Sequence, residues 1–309
     1  MQPIPIIACF LIALSVGSND TANALGICIG CRIISFRRAV ILFGVFVLIG
    51  ILLQGRKVMK TVGKDIVEMD LRILGISLLV SAILIIISNW KRLPVSTHQV
   101  IIGSLTGSGT ALGADVNYGS LFEILLSWVI SPLAAFFASL IIYRAMEKTL
   151  SKLPFLQIER IIRVLLLGSG IIIAYTTGAN ELATILGPVI HAGLIDETWA
   201  FLGGSFLVFL GAVLLSNRII ETIGKGITAL DPYSGFAAQF GAGCCVFLFT
   251  TLGMPISTTY CIIGGITGVG MLKGTGTVSV SLLRKIALSW ILAPTLAFLT
   301  CFAIVRTLI

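Results

Sequence analysis

Two acidic residues stand where acids are rarely found. Asp20 lies in G-S-N-D-T-A-N-A, residues 17–24, and Glu181 in G-A-N-E-L-A-T-I-L-G-P, residues 178–188. Both stretches sit within long apolar runs. A carboxylate at the centre of a membrane helix costs about 3 kcal/mol or more, so it faces a partner or a cavity. Asn19 and Asn23 flank Asp20, and Asn180 and Thr184 flank Glu181. Gly17 and Ser18 predict that the helix unwinds here. Carboxylate, amide and freed backbone oxygens form a hard donor set, suited to a small hard cation such as Na⁺. A polar clamp between packed helices is the plainer reading of one such cluster, but the cluster occurs twice. Two acids brought together repel each other, and a cation or a proton between them relieves that. The residues therefore point to ion coupling.

A second pair of motifs carries hydroxyls. R-L-P-V-S-T-H-Q spans residues 92–99 and G-M-P-I-S-T-T-Y spans residues 253–260. Each places Pro before Ser and Thr and then a Gly-rich apolar run. Pro suits the first turn of a helix, and Ser and Thr cap it. Each motif predicts a half-helix that starts inside the membrane, with free N–H groups and a positive dipole end that favour an anion. Ser96, Thr97, Ser257, Thr258 and Thr259 would together surround a tetrahedral oxyanion, with no Lys or Arg placed to share the task at depth. His98 is a ligand contact, a proton relay or a packing histidine. His191, beside Asp196 and Glu197, reads as solvated.

The elements that must position these residues are membrane helices. Of 309 residues, 57% are apolar and 11% charged, and mean hydropathy is +1.08. A soluble domain carries about a quarter charged residues. This composition excludes a soluble enzyme, a nucleic-acid binder and a disordered regulator. Apolar runs fall at about 4–27, 38–54, 72–89, 94–113 and 120–143, then at about 162–188, 198–217, 234–252, 255–272 and 282–305. The fourth of each series, rich in Gly and Thr, reads as broken or re-entrant. The first run lacks a cationic leader region and is expected to stay in the protein. Seven cysteines lie mostly in apolar runs and read as packing, and Cys28 and Cys31 form a lone C-x-x-C with no second pair. No nucleotide-binding glycine motif and no H-E-x-x-H is present, so an enzyme is not expected and neither is an organic cofactor.

The two series are one unit written twice, 161 residues apart. Gly17, Asn19, Ala22 and Gly26 recur as Gly178, Asn180, Ala183 and Gly187, and Pro94, Ser96, Thr97 and Gly103 recur as Pro255, Ser257, Thr258 and Gly264. Thr61, Gly63 and Lys64 recur as Thr222, Gly224 and Lys225. Five runs per copy would set the second copy upside down relative to the first, as in many secondary transporters. The expected fold is an all-α polytopic membrane protein of two inverted repeats, 1–147 and 161–309, joined by a cytoplasmic linker, 148–160. Segments 58–70 and 219–231 each show an apolar face, as short interfacial helices or as partly buried connections. The loops on one side carry 15 Lys and Arg against 6 on the other, so that side is cytoplasmic and both termini lie outside.

With these residues the chain resembles the inorganic phosphate transporter (PiT) family, which carries two G-A-N-D-x-A-N-A signatures and a P-V-S-T-T-H-type motif in each half. Residues 17–24, 94–98, 178–188 and 255–259 carry the resemblance, in order, over nearly the whole chain. It implies alternating-access symport of inorganic phosphate across the cell membrane, coupled to Na⁺ or in some members to H⁺, by a homodimer. By match, Asp20, Asn23, Asn180, Glu181 and Thr184 take the cation, and Ser96, Thr97, Ser257, Thr258, Thr259, Asn19 and Asn180 take the phosphate. Three positions depart from the pattern: Glu181 for Asp, Thr184 for Asn, and His98 for the second Thr. H⁺-coupled phosphate or sulfate transport on the same fold is the alternative. An anion channel is disfavoured by the paired acids, which repel the permeant ion.

Overall fold

The structure is a computed structural model that describes residues 3–67, 70–90, 95–150, 152–227, 231–273 and 280–308; of residues 155, 217–227 and 280–287 only the backbone is described. The described residues form helices α1 (Pro3–Gly30), α2 (Phe36–Gly63), α3 (Leu71–Trp90), α4 (Thr97–Leu112), α5 (Tyr118–Leu150), α6 (Phe155–Thr176), α7 (Ala183–His191), α8 (Glu197–Ile227), α9 (Pro232–Thr251), α10 (Thr258–Lys273) and α11 (Val280–Leu308). A six-residue π-helical segment, Thr177–Leu182, links α6 to α7. Most of these helices are apolar around much of their circumference: one side is buried by neighbours and the other, carrying residues such as Leu53, Ile141 and Leu214, is exposed. That distribution fits a solvent of lipid.

Eight spans are long and apolar enough to cross a membrane, α6, the π segment and α7 forming one of them. Among the described residues the ten apolar runs are thus eight helices long enough to span and two short ones. With 16 residues each, α4 and α10 reach about 24 Å, less than the roughly 30 Å of hydrocarbon. Each is the return arm of a hairpin. α3 and α4 meet side by side, where Ser77 Oγ donates to Ser104 O at 3.1 Å, and their far ends are tied by a Val67–Val116 bridge and by Asn117 N donating to Ile66 O at 2.8 Å. α9 begins on an Asp231 cap whose Oδ1 accepts from Tyr233 N and Ser234 N at 3.0 and 2.9 Å. Lys273, at the end of α10, pairs with the same Asp231 and closes the second hairpin. An out-and-back hairpin leaves the side of the following helix unchanged.

Contacts between the halves repeat with exchanged partners. A Cβ on Gly17 would strike the Val208 carbonyl, and one on Gly178 would strike the Val47 carbonyl; both pairs are related by the 161-residue offset. Gly103 meets the Pro294 carbonyl as Gly264 meets that of Pro132. α1 runs antiparallel to α6–α7: Cys9 Sγ donates to Ile185 O at 3.1 Å, Gly170 lies against Ala24, and Cys28 Sγ donates to Leu166 O at 3.5 Å. α2 instead runs parallel to the π segment and α7, with Val47, Gly55 and Met59 against Gly178, Ala183 and Gly187 in turn.

Two expectations change. Segment 58–70 is not a separate interfacial helix: α2 continues to Gly63 with Val58, Met59 and Val62 buried, because Gly63 and Gly187 let α2 and α7 touch along their backbones. Residues 219–227 likewise continue α8; their side chains, and residues 228–230, lie outside the described residues. Near the expected linker 148–160, α5 runs to Leu150 and α6 begins at Phe155.

The glycine contacts give a direct expectation. Gly178→Val forces a side chain into the Val47 carbonyl and should destabilise the detergent-purified protein by about 1–3 kcal/mol or more. Gly168→Ala, where nothing lies within 4 Å, should leave stability unchanged or raise it by about 1 kcal/mol through helix propensity. Thermal unfolding of the two variants in parallel checks both.

Candidate functional site

Four backbone segments converge on one cavity: the middle of α1, the π segment, and the starts of α4 and α10. Asn19, Asp20, Ser96, Thr97, Glu181, Ser257 and Thr259 line it, with Val16, Ile85 and Val95 as its apolar wall. Its volume is about 30 Å³, more than the roughly 10–15 Å³ that one water molecule needs. Among the described residues no Lys or Arg lines it.

The short helices deliver their ends here. Ser96 stands at the N-cap of α4 in an extended conformation, φ −86° and ψ 127°, and Ser257 precedes Thr258 at the start of α10. Helix starts leave N–H groups unpaired, and these two lie beside the cavity. The expected place of proline is corrected. Pro255 is not in the first turn of α10 but three residues ahead of Thr258, in the hairpin tip, where its carbonyl accepts from Trp128 Nε1 at 2.8 Å. Pro94 lies outside the described residues.

The expected unwinding of the first signature is also corrected. α1 is continuous through residues 17–24. Its glycine serves close approach to α8, so the α-helical ladder is kept. The second signature departs from the α-helix, as the π segment containing Asn180 and Glu181. Such segments recur at functional sites because they leave backbone groups imperfectly paired.

Several buried oxygens at the cavity are unsatisfied. Asp20 Oδ1 accepts from Asn23 Nδ2 at 3.1 Å, and the same amide donates to Thr259 Oγ1 at 3.1 Å. Asp20 Oδ2, Glu181 Oε2 and Ser96 Oγ have no hydrogen-bond partner although buried. Buried polar atoms are normally paired, so unpaired oxygens around one cavity mark a place for a polar cargo. The carboxylates suit a cation, and the hydroxyls and helix ends suit an anion.

The remaining expected site residues stand one layer back. Asn180 is fully engaged: Nδ2 donates to Thr250 Oγ1 at 2.8 Å and Met254 O at 2.9 Å, and Oδ1 accepts from Ile256 N at 3.1 Å. It stitches the second hairpin tip to the π segment. Thr184 and Thr258 are fully buried outside the cavity wall, each hydroxyl without a partner. His98 is fully buried too, with Nδ1 3.4 Å from Glu181 Oε2. It occupies the repeat position of Thr259, and so faces the second acid as Thr259 faces the first through Asn23.

Sequence reasoning missed the residues that brace the site. Asn19 Nδ2 donates to Asn89 Oδ1 at 2.6 Å, and Asn89 Nδ2 donates to Ser15 Oγ at 2.6 Å. Thr250, which holds Asn180, is 161 residues from Asn89, so the repeat offset itself was the available signal. Gln239, in α9, donates to the Ala24 carbonyl beside Asn23.

Comparisons with known proteins follow this geometry. The profile of the Phosphate transporter family matches residues 16–301. A provisionally named phosphate permease of Methanocaldococcus jannaschii is 37% identical over 306 residues, covering 98% of this chain and 96% of that one. A sulfate permease of Bacillus subtilis is 27% identical over 310 residues, covering 99% and 87%. A solved structure described as the sodium-dependent phosphate transporter superposes with a TM-score of 0.86 at 24% identity, covering 99% of this chain and 98% of that one; it establishes the fold. A family profile that covers nearly the whole chain, joined to a relative of this similarity, places the protein: it is a multi-pass membrane protein that belongs to the phosphate transporter family.

Proposed function

We propose that the protein is a symporter that carries inorganic phosphate across the cytoplasmic membrane by alternating access, with Na⁺ as the coupling ion. The observation that carries this reading is the single cavity in which two buried carboxylates and two hydroxyl-bearing helix starts meet. Phosphate docks on Ser96, Thr97, Ser257 and Thr259 and on the helix N–H groups, with Thr258 and Asn19 beside them. Na⁺ takes oxygens from Asp20 and Glu181, with Asn23 and Thr184 next to those acids. Asn180, all of whose amide groups are engaged, holds the second tip in register for both cargoes.

Alternating access requires the cavity between the two hairpin tips to open to each side of the membrane in turn. The exchange of partners across the 161-residue offset, with α1 antiparallel to its counterpart α6–α7, supports two inverted copies, 1–147 and 161–309. Exchanging the roles of such copies gives an outward-facing and an inward-facing state. Both termini lie outside, by the Lys and Arg bias of the loops, and the working unit is a homodimer, as the family resemblance implies.

The sulfate permease among the relatives supports a second reading, sulfate or H⁺-coupled phosphate transport on this fold. The carboxylates favour phosphate. At neutral pH phosphate retains a proton that it can donate to Asp20 or Glu181, whereas sulfate has none to donate and meets only repulsion.

Proteoliposomes with radiolabelled phosphate test this. Uptake should rise at least about tenfold under an inward Na⁺ gradient, an energy difference of about 1.4 kcal/mol per tenfold in accumulation. Absence of uptake under both a Na⁺ and a proton gradient would defeat the transport reading, and stronger competition by unlabelled sulfate than by unlabelled phosphate would replace phosphate with sulfate. Asp20→Asn removes the charge that holds the cation and should cut Na⁺-driven uptake by about a hundredfold, the effect of some 3 kcal/mol; if the Na⁺ dependence survives in that variant, Asp20 does not hold the ion.

A further inference from the structure

Gln99 and Tyr260 belong to neither the carboxylate nor the hydroxyl cluster, yet they meet. Tyr260 Oη donates to Gln99 Oε1 at 3.1 Å. The two positions are 161 residues apart, so the bond joins one position of the repeat to its own counterpart. Each lies in the first turn of a short helix whose start borders the cavity, Gln99 two residues after Thr97 in α4 and Tyr260 two residues after Thr258 in α10. Both are about 1% exposed. The tyrosine ring is fixed from behind by Trp290, with centroids 4.9 Å apart, and its backbone N donates to Ser257 Oγ at 3.4 Å. α4 packs mainly on α11 and α3, and α10 on α5 and α9, so this bond reaches from one hairpin to the other.

We propose that Gln99 and Tyr260 are a positioning pair that sets the gap between the starts of α4 and α10, and with it the fit of the cavity to a tetrahedral oxyanion. The proposal rests on the anion reading of that cavity. Neither residue lines it. They act through Ser96, Thr97, Ser257 and Thr259, which precede or adjoin them. A buried hydroxyl–amide bond is directional, and removing its donor leaves the glutamine oxygen unpaired in a dry site. Without the bond the two helix starts relax apart, and donors aimed at one oxyanion no longer converge.

The test is phosphate uptake by the full-length protein in proteoliposomes under a Na⁺ gradient, with thermal unfolding of the same preparations. Tyr260→Phe keeps the ring and removes the bond. It should raise the phosphate KM about tenfold while Vmax stays within about twofold and the Tm within a few degrees. Gln99→Leu should raise it in the same direction and by no more, and the double variant should be no worse than Tyr260→Phe alone, which already removes this bond together with the hydroxyl's bonds to Ser96 and Ser289. An unchanged KM in both single variants, additive losses in the double variant, or a fall in uptake that follows Tm at constant KM would each overturn the pair's role. If Tyr260→Phe does not fold, Gln99→Leu decides alone. Failure of the unmodified protein to take up phosphate at all defeats the transport reading itself, a result separate from any change between variants.

Discussion

Two carboxyl groups, Asp20 and Glu181, are buried in a place where hydrocarbon, not water, surrounds the protein. Asp20 and Glu181 border one cavity, and no basic side chain among the described residues borders it with them. Charge in such a site must be compensated, and the neighbouring amides and hydroxyls cannot do so fully. This constraint orders the rest of the molecule. The site lies where the two halves meet, with both acids on one cavity, and the other polar groups that line it are neutral amides and hydroxyls.

The two halves are alike in frame and unlike at the centre. The packing contacts repeat faithfully, as in Gly17 on Val208 and Gly178 on Val47. Around the acids the copies diverge. On one side Asn23 bridges Asp20 and Thr259 with both bonds at 3.1 Å. On the other, Thr184 stands in place of Asn23 and His98 in place of Thr259, with His98 Nδ1 3.4 Å from Glu181.

Much of this was legible before any coordinates. The apolar runs located the helices, because hydrocarbon thickness imposes a length, but they stopped nine residues short of the end of α2 and ten short of the end of α8. The 161-residue offset anticipated which segments would be equivalent, and the paired motifs located both acids and most of the hydroxyls that border the cavity. Other features were not legible. A glycine beside a buried acid serves unwinding and close approach equally well as a sequence signal, and only the partner carbonyl at Val208 distinguishes them. The π segment leaves no composition mark, since G-A-N-E-L is compatible with an ordinary α-helix. Pro255 was assigned to a first turn because proline commonly stands there, while Trp128, distant in sequence, holds it in the tip. The bracing residues Asn89 and Thr250 are single polar residues at helix ends, and only their tertiary partners, Asn19 and Asn180, give them meaning.

The exchange of partners also bears on how the chain is made. The groove that accepts Gly17 of α1 belongs to α8, and the helix that lies antiparallel to α1 is α6–α7. During synthesis α1 enters the bilayer long before either has left the ribosome. Asp20 must therefore wait, in lipid or at the wall of the insertion machinery, without the neighbours that later enclose it. The continuous α-helical ladder of α1 gives that waiting segment what it needs, because every backbone group in its interior is satisfied within the segment itself. The π turn and the hairpin tips, which depend on other helices, belong to parts of the protein that arrive when α1 and α2 are already in place.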